Sequence, residues 1–110
     1  MLRIYPVIIE MIASLRPVMV ALDRRDHDLA RQMRRASASV ALNVAEGMCS
    51  RGKNRPLRYH SALGSMRETT ACIEVAVAMG YLGGLEPEVA ERMRQVTGTL
   101  VLLTRSPAAH

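Results

Sequence analysis

Apolar residues recur every three or four positions along four separate stretches of the chain. This spacing places them on one face of an α-helix, and it predicts helices over residues 4–21, 28–49, 56–79 and 87–104. Glycine and proline fall mainly between these stretches, where helices begin or end. Four amphipathic helices with short connections predict an all-α, up-down-up-down four-helix bundle, with residues 1–110 forming one domain.

Pro17 lies in the middle of the first predicted helix. Proline has no backbone N–H and its ring clashes with the carbonyl of Ala13, so we predict a kink or a break here. Glu10 interrupts the apolar N-terminal stretch, no uncharged run approaches the roughly 18 residues of a membrane span, and no cleavage-site pattern is present. We therefore predict a cytoplasmic protein without a signal peptide or a membrane segment.

Cys49 and Cys72 are the two cysteines of the chain. If the second and third helices form an antiparallel hairpin, Cys72 lies roughly 22 Å along the third helix from the position opposite Cys49. That separation is too large for a disulfide. We therefore predict that both cysteines are reduced and lie in the core.

Basic residues are unevenly spread, although the net charge is +5 overall. Between Arg31 and Arg58 the only acidic residue is Glu46. The basic residues of this segment are Arg31, Arg34, Arg35, Arg51, Lys53, Arg55 and Arg58. Two interpretations are open: a solvated helix face and loop, or a surface that binds a polyanion, with RNA or DNA as the expected ligand. Because the chain has only three tyrosines and no Phe or Trp for base stacking, such binding would depend on phosphate contacts and on salt.

Small polar residues and carboxylates lie at helical spacing among apolar neighbours in two motifs. Ser39, Asn43 and Glu46 form one stripe on the second predicted helix, and Ser65 and Glu68 form another on the third. Since these helices should be neighbours, we expect the stripes to form a structural polar network that fixes helix register or a subunit contact. A catalytic or metal site is the alternative.

The spacing of the histidines argues against that alternative. Carboxylate-bridged di-iron bundles use Glu-x-x-His pairs, and none of His27, His60 and His110 follows a glutamate by three positions. Neither cysteine lies within helical reach of a histidine, and the sequence has no Gly-x-Ser-x-Gly elbow and no P-loop. We predict that the protein holds no metal or cofactor and is not an enzyme.

Two motifs give the chain a family resemblance. Residues 34–47, RRASASVALNVAEG, and residues 62–69, ALGSMRET, resemble the signature segments of a bacterial family of small four-helix bundle proteins. These are known as 23S ribosomal RNA intervening-sequence proteins. Gly80-Tyr81-Leu82 resembles the ending of that family's third helix, and the similarity spans residues 5–104.

The resemblance implies an assembly as well as a fold. One branch of the family comprises the accessory variability determinants of diversity-generating retroelements, which form pentameric barrels that engage nucleic acid and a reverse transcriptase. By resemblance, we expect this chain to form a ring-like homopentamer, in which apolar residues such as Leu42, Val75 and Leu102 would pack against neighbouring subunits. The leading hypothesis is a non-enzymatic, basic, oligomeric adaptor that binds nucleic acid, as an accessory to a reverse transcriptase. The alternative is a structural or protein-interaction module that docks an acidic partner protein.

Overall fold

Five helical segments form the four rods of the bundle. The structure, a computed structural model, describes residues 3–105, and His110 lies outside them. The segments are α1 (Ile4–Ser14), α2 (Arg16–Asp23), α3 (His27–Cys49), α4 (Asn54–Ala78) and α5 (Pro87–Thr104). Helices α1 and α2 follow one another as the first rod, and the chain then turns back three times. The predicted all-α, up-down-up-down four-helix bundle is confirmed.

The interruption of the first rod falls at Leu15, two residues before Pro17. The Leu15 N–H is shared between the carbonyls of Met11 and Ile12, at 3.0 and 3.1 Å. Pro17 then occupies the second position of α2, where a missing N–H leaves no helical hydrogen bond unmade. Leu15 keeps right-handed helical dihedral angles. The proline therefore divides the rod into two helices through one tightened turn, without a loop.

Side-chain capping fixes the start of α3. The Asp26 carboxylate accepts a hydrogen bond from the Leu29 N–H at 3.0 Å, as an N-cap residue does. Gly52, with φ +60°, supports the turn between α3 and α4. The first rod runs to Asp23 and α4 begins at Asn54, so both extend about two residues beyond the helices that periodicity predicts.

The core is formed by aliphatic and methionine side chains from all four rods. Their flexible or compact shapes fill most of the space between the helices, and Tyr59 is the one buried aromatic side chain among the described residues. The largest fully buried apolar side chains are Ile8, Met11, Leu15, Leu22, Met33, Val40, Val44, Met66, Val96 and Leu100.

The first rod has the length and apolar content of a membrane-spanning helix. Ile4–Asp23 comprises 20 residues, with a mean hydropathy of 1.6 in its most apolar window. One face of this rod, including Ile8, Met11 and Leu22, is fully buried in the core, and a core helix needs the same apolar composition. The cytoplasmic location stays a prediction.

The antiparallel topology gives the bundle two chemically different ends. We call the end with the α3–α4 connection, residues 50–53, the turn end; the first rod begins there and α5 finishes there. The opposite end holds the α2–α3 connection and the segment between α4 and α5, and the Arg25 guanidinium lies 5.5 Å from the centre of the Tyr81 ring. The molecule is 45 Å long, so the two ends act as separate surfaces.

Candidate nucleic-acid interface

The seven basic residues predicted to bind nucleic acid are all exposed, and they lie in two groups along the α3–α4 hairpin. Arg35 and the end of α3 at Cys49 are separated by 14 residues of helix, which is about 21 Å. The role of these seven residues in binding nucleic acid stays a prediction. Three of these residues, which we call the α3 arginines, are Arg31, Arg34 and Arg35. The other four, which we call the turn-end cluster, are Arg51, Lys53, Arg55 and Arg58.

The turn-end cluster lies in a segment without acidic residues. No Asp or Glu occurs between Glu46 and Glu68, and within residues 3–105 no ion pair involves a member of the cluster. The Arg55 Nε–H donates to the Ser50 carbonyl at 3.1 Å, which holds that side chain against the turn. Among the described residues, no carboxylate therefore lies within 4.0 Å of a cationic group of the cluster.

Two of the three α3 arginines have acidic partners. Arg31 lies 3.8 Å from Asp28, and Arg34 lies 3.7 Å from Asp23. These pairs are exposed and long, so they add little stability, yet they reduce the local positive potential. Other acidic residues of the opposite end are Asp26, Glu86 and Glu88. This end is therefore nearly balanced in charge.

Close packing between α3 and α4 fixes the turn end. Gly47 is buried, and a Cβ placed on it would lie 2.5 Å from Cε1 of Tyr59. Only glycine allows this approach without displacing the ring. Burial raises the pKa of the Tyr59 phenol, and the charge of Arg55 acts in the opposite direction. This pair was not predicted from the sequence; the position of Gly47 on a helix beside a predicted neighbouring helix was the available signal.

The predicted polar network forms in part. Ser65 donates a hydrogen bond to the Ser39 hydroxyl across the α3–α4 interface at 2.8 Å. The Asn43 amide donates to the hydroxyl and to the carbonyl of Ser39, at 3.0 Å each. These bonds join the two motifs and fix the register of the two longest helices.

The two carboxylates of the predicted network lie outside it. Glu46 and Glu68 are both exposed, and neither carboxylate hydrogen-bonds to Ser39, Asn43 or Ser65. Both side chains are accessible to water, so solvent stabilises their charge, and the hydrogen bonds of the network involve only the three uncharged residues. This is a correction to the predicted network.

A family model described as 23S rRNA-intervening sequence protein matches residues 14–104. The chain belongs to this family. The matched region contains both motifs, residues 34–47 and 62–69, and thus confirms the resemblance to the intervening-sequence proteins. Neither the curated proteins nor the solved structures gave a match. In this family member, the first motif supplies Ser39, Asn43 and the buried Gly47, and the second supplies Ser65.

The candidate ligands for a metal are dispersed. Within residues 3–105, no group of three or more His, Cys, Asp and Glu side chains could hold a metal ion. Cys49 is exposed and Cys72 is buried, and both are free; the prediction that both lie in the core is therefore wrong for Cys49. Burial, followed by the charge of Glu68, raises the pKa of the Cys72 thiol. The absence of a cofactor and of enzymatic activity stays a prediction.

Proposed function

We propose that the protein is a non-enzymatic, basic, oligomeric adaptor that binds RNA or DNA through phosphate contacts. The observation that supports this most is the turn-end cluster, four exposed cations that form no ion pair with a carboxylate within residues 3–105. Arginine suits this role because its planar guanidinium forms paired hydrogen bonds to phosphate oxygens. The family description names a sequence that interrupts 23S ribosomal RNA, and it names no ligand. The proposal that the ligand is a nucleic acid therefore depends on the charge of the turn-end cluster.

The burial of the tyrosines favours a binding mode based on phosphate contacts over one based on base stacking. Tyr59 is buried, and Tyr5 and Tyr81 pack partly against the core. Little aromatic surface is therefore available to bases. Binding driven by phosphates releases counterions, and its affinity falls steeply with salt.

Fluorescence anisotropy with a labelled structured RNA tests the proposal. We expect binding at about 50 mM salt and a loss of affinity of at least tenfold at about 200 mM. A labelled neutral polymer of similar length is the control. Equal binding of the RNA and the neutral polymer, or binding that salt leaves unchanged, would contradict the proposal.

We further propose that the protein assembles as a ring-like homopentamer and serves a reverse transcriptase as an accessory. Leu42 and Leu102 support an assembly, since they are 66% and 64% exposed, and Val75 is a third apolar side chain on the surface. Multi-angle light scattering measures the mass directly. A particle five times the chain mass of 12.1 kDa is expected, and a monomer would contradict the pentamer. Association with a reverse transcriptase is tested by co-purification from cells that express both proteins.

The second candidate is a protein-interaction module that docks an acidic partner. The turn-end cluster favours it as well, because carboxylates bind arginine in the same geometry as phosphates. A pull-down from native cells with and without nuclease separates the candidates. Partners that are lost on nuclease treatment support the nucleic-acid adaptor, and partners that persist support protein docking.

A further inference from the structure

A second polar surface lies halfway along the α3–α4 hairpin. It is a groove of about 300 Å³, at the lower limit of small-ligand sites. Its residues follow helical spacing on each side, and Ala36 provides the one apolar side chain. The lining residues are Gln32, Arg35, Ala36, Ser39, Ser65 and Glu68.

This groove is lined by two opposite charges that do not form an ion pair with each other. Arg35 on α3 and Glu68 on α4 both line it, yet within residues 3–105 no ion pair of 4.0 Å or less includes either. The adjacent Arg34, by contrast, has Asp23 as its partner. The groove thus contains a cation and an anion that are not paired with each other, which suits a ligand that has both an acceptor and a donor.

The hydrogen bonds of Ser39 leave its proton available. Its hydroxyl oxygen already accepts from Ser65 at 2.8 Å and from Asn43 at 3.0 Å. Among the described residues no acceptor receives the Ser39 hydroxyl proton, so this group is a donor positioned by two bonds. Ser39 and Arg35 lie one helical turn apart on α3, so together they favour an anionic or carbonyl oxygen.

We propose that this groove binds one nucleotide of a bound single strand and selects bases that have an exocyclic amino group. Arg35 and Ser39 bind phosphate or sugar oxygens, and the Glu68 carboxylate accepts a hydrogen bond from the base amine. Sequence-specific recognition of single strands uses such contacts to the base edges. This inference rests on the proposed function and deepens it, since it adds base selection to phosphate binding.

The position of the groove allows one strand to reach both surfaces. Ser39 lies ten residues, or about 15 Å, before the end of α3 at Cys49. Beyond it begins the turn-end cluster, on the same helical hairpin. A strand that follows the α3–α4 seam therefore meets the cationic cluster and the groove in succession.

Cytidine and uridine oligomers test the selection, because cytosine has an amine at the position where uracil has a carbonyl. We expect an octamer of C to bind about tenfold more tightly than an octamer of U at low salt. Glu68→Gln replaces the carboxylate with a neutral amide that can also donate to the uracil carbonyl. The ratio of the two dissociation constants should then fall to near one.

Glu74→Gln is the matched control. Glu74 is an exposed glutamate of the same helix, but it lines a different groove, between α4 and α5. This variant makes the same change of charge and should keep the tenfold ratio. Arg35→Gln should weaken both oligomers alike and lower the salt slope by about 0.7 while the ratio persists.

The outcomes separate this inference from the proposed function. Equal binding of the two oligomers by the unaltered protein overturns base selection by Glu68 and leaves phosphate binding in place. The inference is also overturned if Glu68→Gln leaves the ratio of the two dissociation constants unchanged. The same holds if Glu74→Gln lowers this ratio as much as Glu68→Gln does. If neither oligomer nor structured RNA binds at low salt, the proposed function fails, and this inference fails with it.

Discussion

The two ends of the bundle both contain exposed arginines, but the arginines have different neighbours. At the opposite end, Arg31 and Arg34 lie within 4 Å of Asp28 and Asp23, and the segment that begins α5 adds further carboxylates. At the turn end, the cluster from Arg51 to Arg58 has no acidic residue within it. The comparison shows that counting arginines along a sequence overestimates a binding surface, because the fold determines which of them meet a carboxylate.

The largest expected effect comes from removing three of the four cations of the turn-end cluster. Replacing Arg51, Lys53 and Arg55 together with alanine should lower RNA affinity by about two orders of magnitude at about 0.1 M salt, and the salt slope by about 2 to 3, if each contacts one phosphate. Anisotropy titrations over a range of salt concentrations measure both quantities.

The control removes the same charge from the opposite end. The triple alanine variant of Arg25, Arg31 and Arg34 should change the slope by less than about one, since each of these side chains has an acid or an aromatic ring as its neighbour. Equal losses in the two triple variants would remove the distinction between the ends.

The next effect concerns the packing that fixes the turn end. Gly47→Ala should lower the free energy of unfolding by about 1 to 3 kcal/mol, because the new methyl group overlaps the Tyr59 ring. Gly64→Ala is the matched control: Gly64 is exposed within α4, and no atom lies within 4 Å of its added Cβ. That change should raise stability by about 0.5 to 1 kcal/mol. Urea unfolding measures both values, and a loss of stability in both variants would show that the overlap with Tyr59 is not the cause.

A smaller effect should follow from freeing the paired arginines. Asp23→Asn combined with Asp28→Asn removes the partners of Arg34 and Arg31, so the opposite end gains available cations. We expect a modest increase in RNA affinity and a rise of up to about 2 in the salt slope. Glu86→Gln with Glu88→Gln makes the same change in net charge at the same end without freeing an arginine. If this control matches the aspartate variant, net charge alone explains the gain and the pairing does not matter.

The smallest effect is a pH dependence at the turn end. Burial raises the pKa of Tyr59 above its ordinary value of 10.0, so above this pH the unfolded chain binds fewer protons at this residue than the folded one. Stability from this group is therefore complete below about pH 10 and is lost as the pH rises through the raised value. Thermal melts in steps from about pH 8 to 11 should show a shallower loss in Tyr59→Phe. Identical pH curves for the two proteins would contradict the assignment.

The helices could be predicted largely from local pattern. The apolar positions of α3 and α5, the capping Asp26 and the position of Pro17 all act within a few residues, so their effects are visible in the sequence. Periodicity also placed Ser39, Asn43 and Ser65 on facing sides of two helices, and those three residues do meet. Glu46 and Glu68 belong to the same predicted stripes, but neither carboxylate joins the hydrogen bonds of those three residues. Spacing alone cannot show this, because the facing direction depends on how the two helices rotate against each other.

The sequence by itself determined the fold class and the family, since hydrophobic periodicity and two short motifs are properties of the chain. Only the tertiary structure decided which charged residues lie close to one another and which lie at opposite ends of the bundle. Antiparallel packing brings Asp23 to Arg34, and it leaves the cluster around Lys53 about 20 Å or more away at the other end. It also placed Arg35 and Glu68 across one groove, although 32 residues separate them in the chain. The physical reason is that electrostatic and steric contacts depend on distance in space, and helix packing sets that distance.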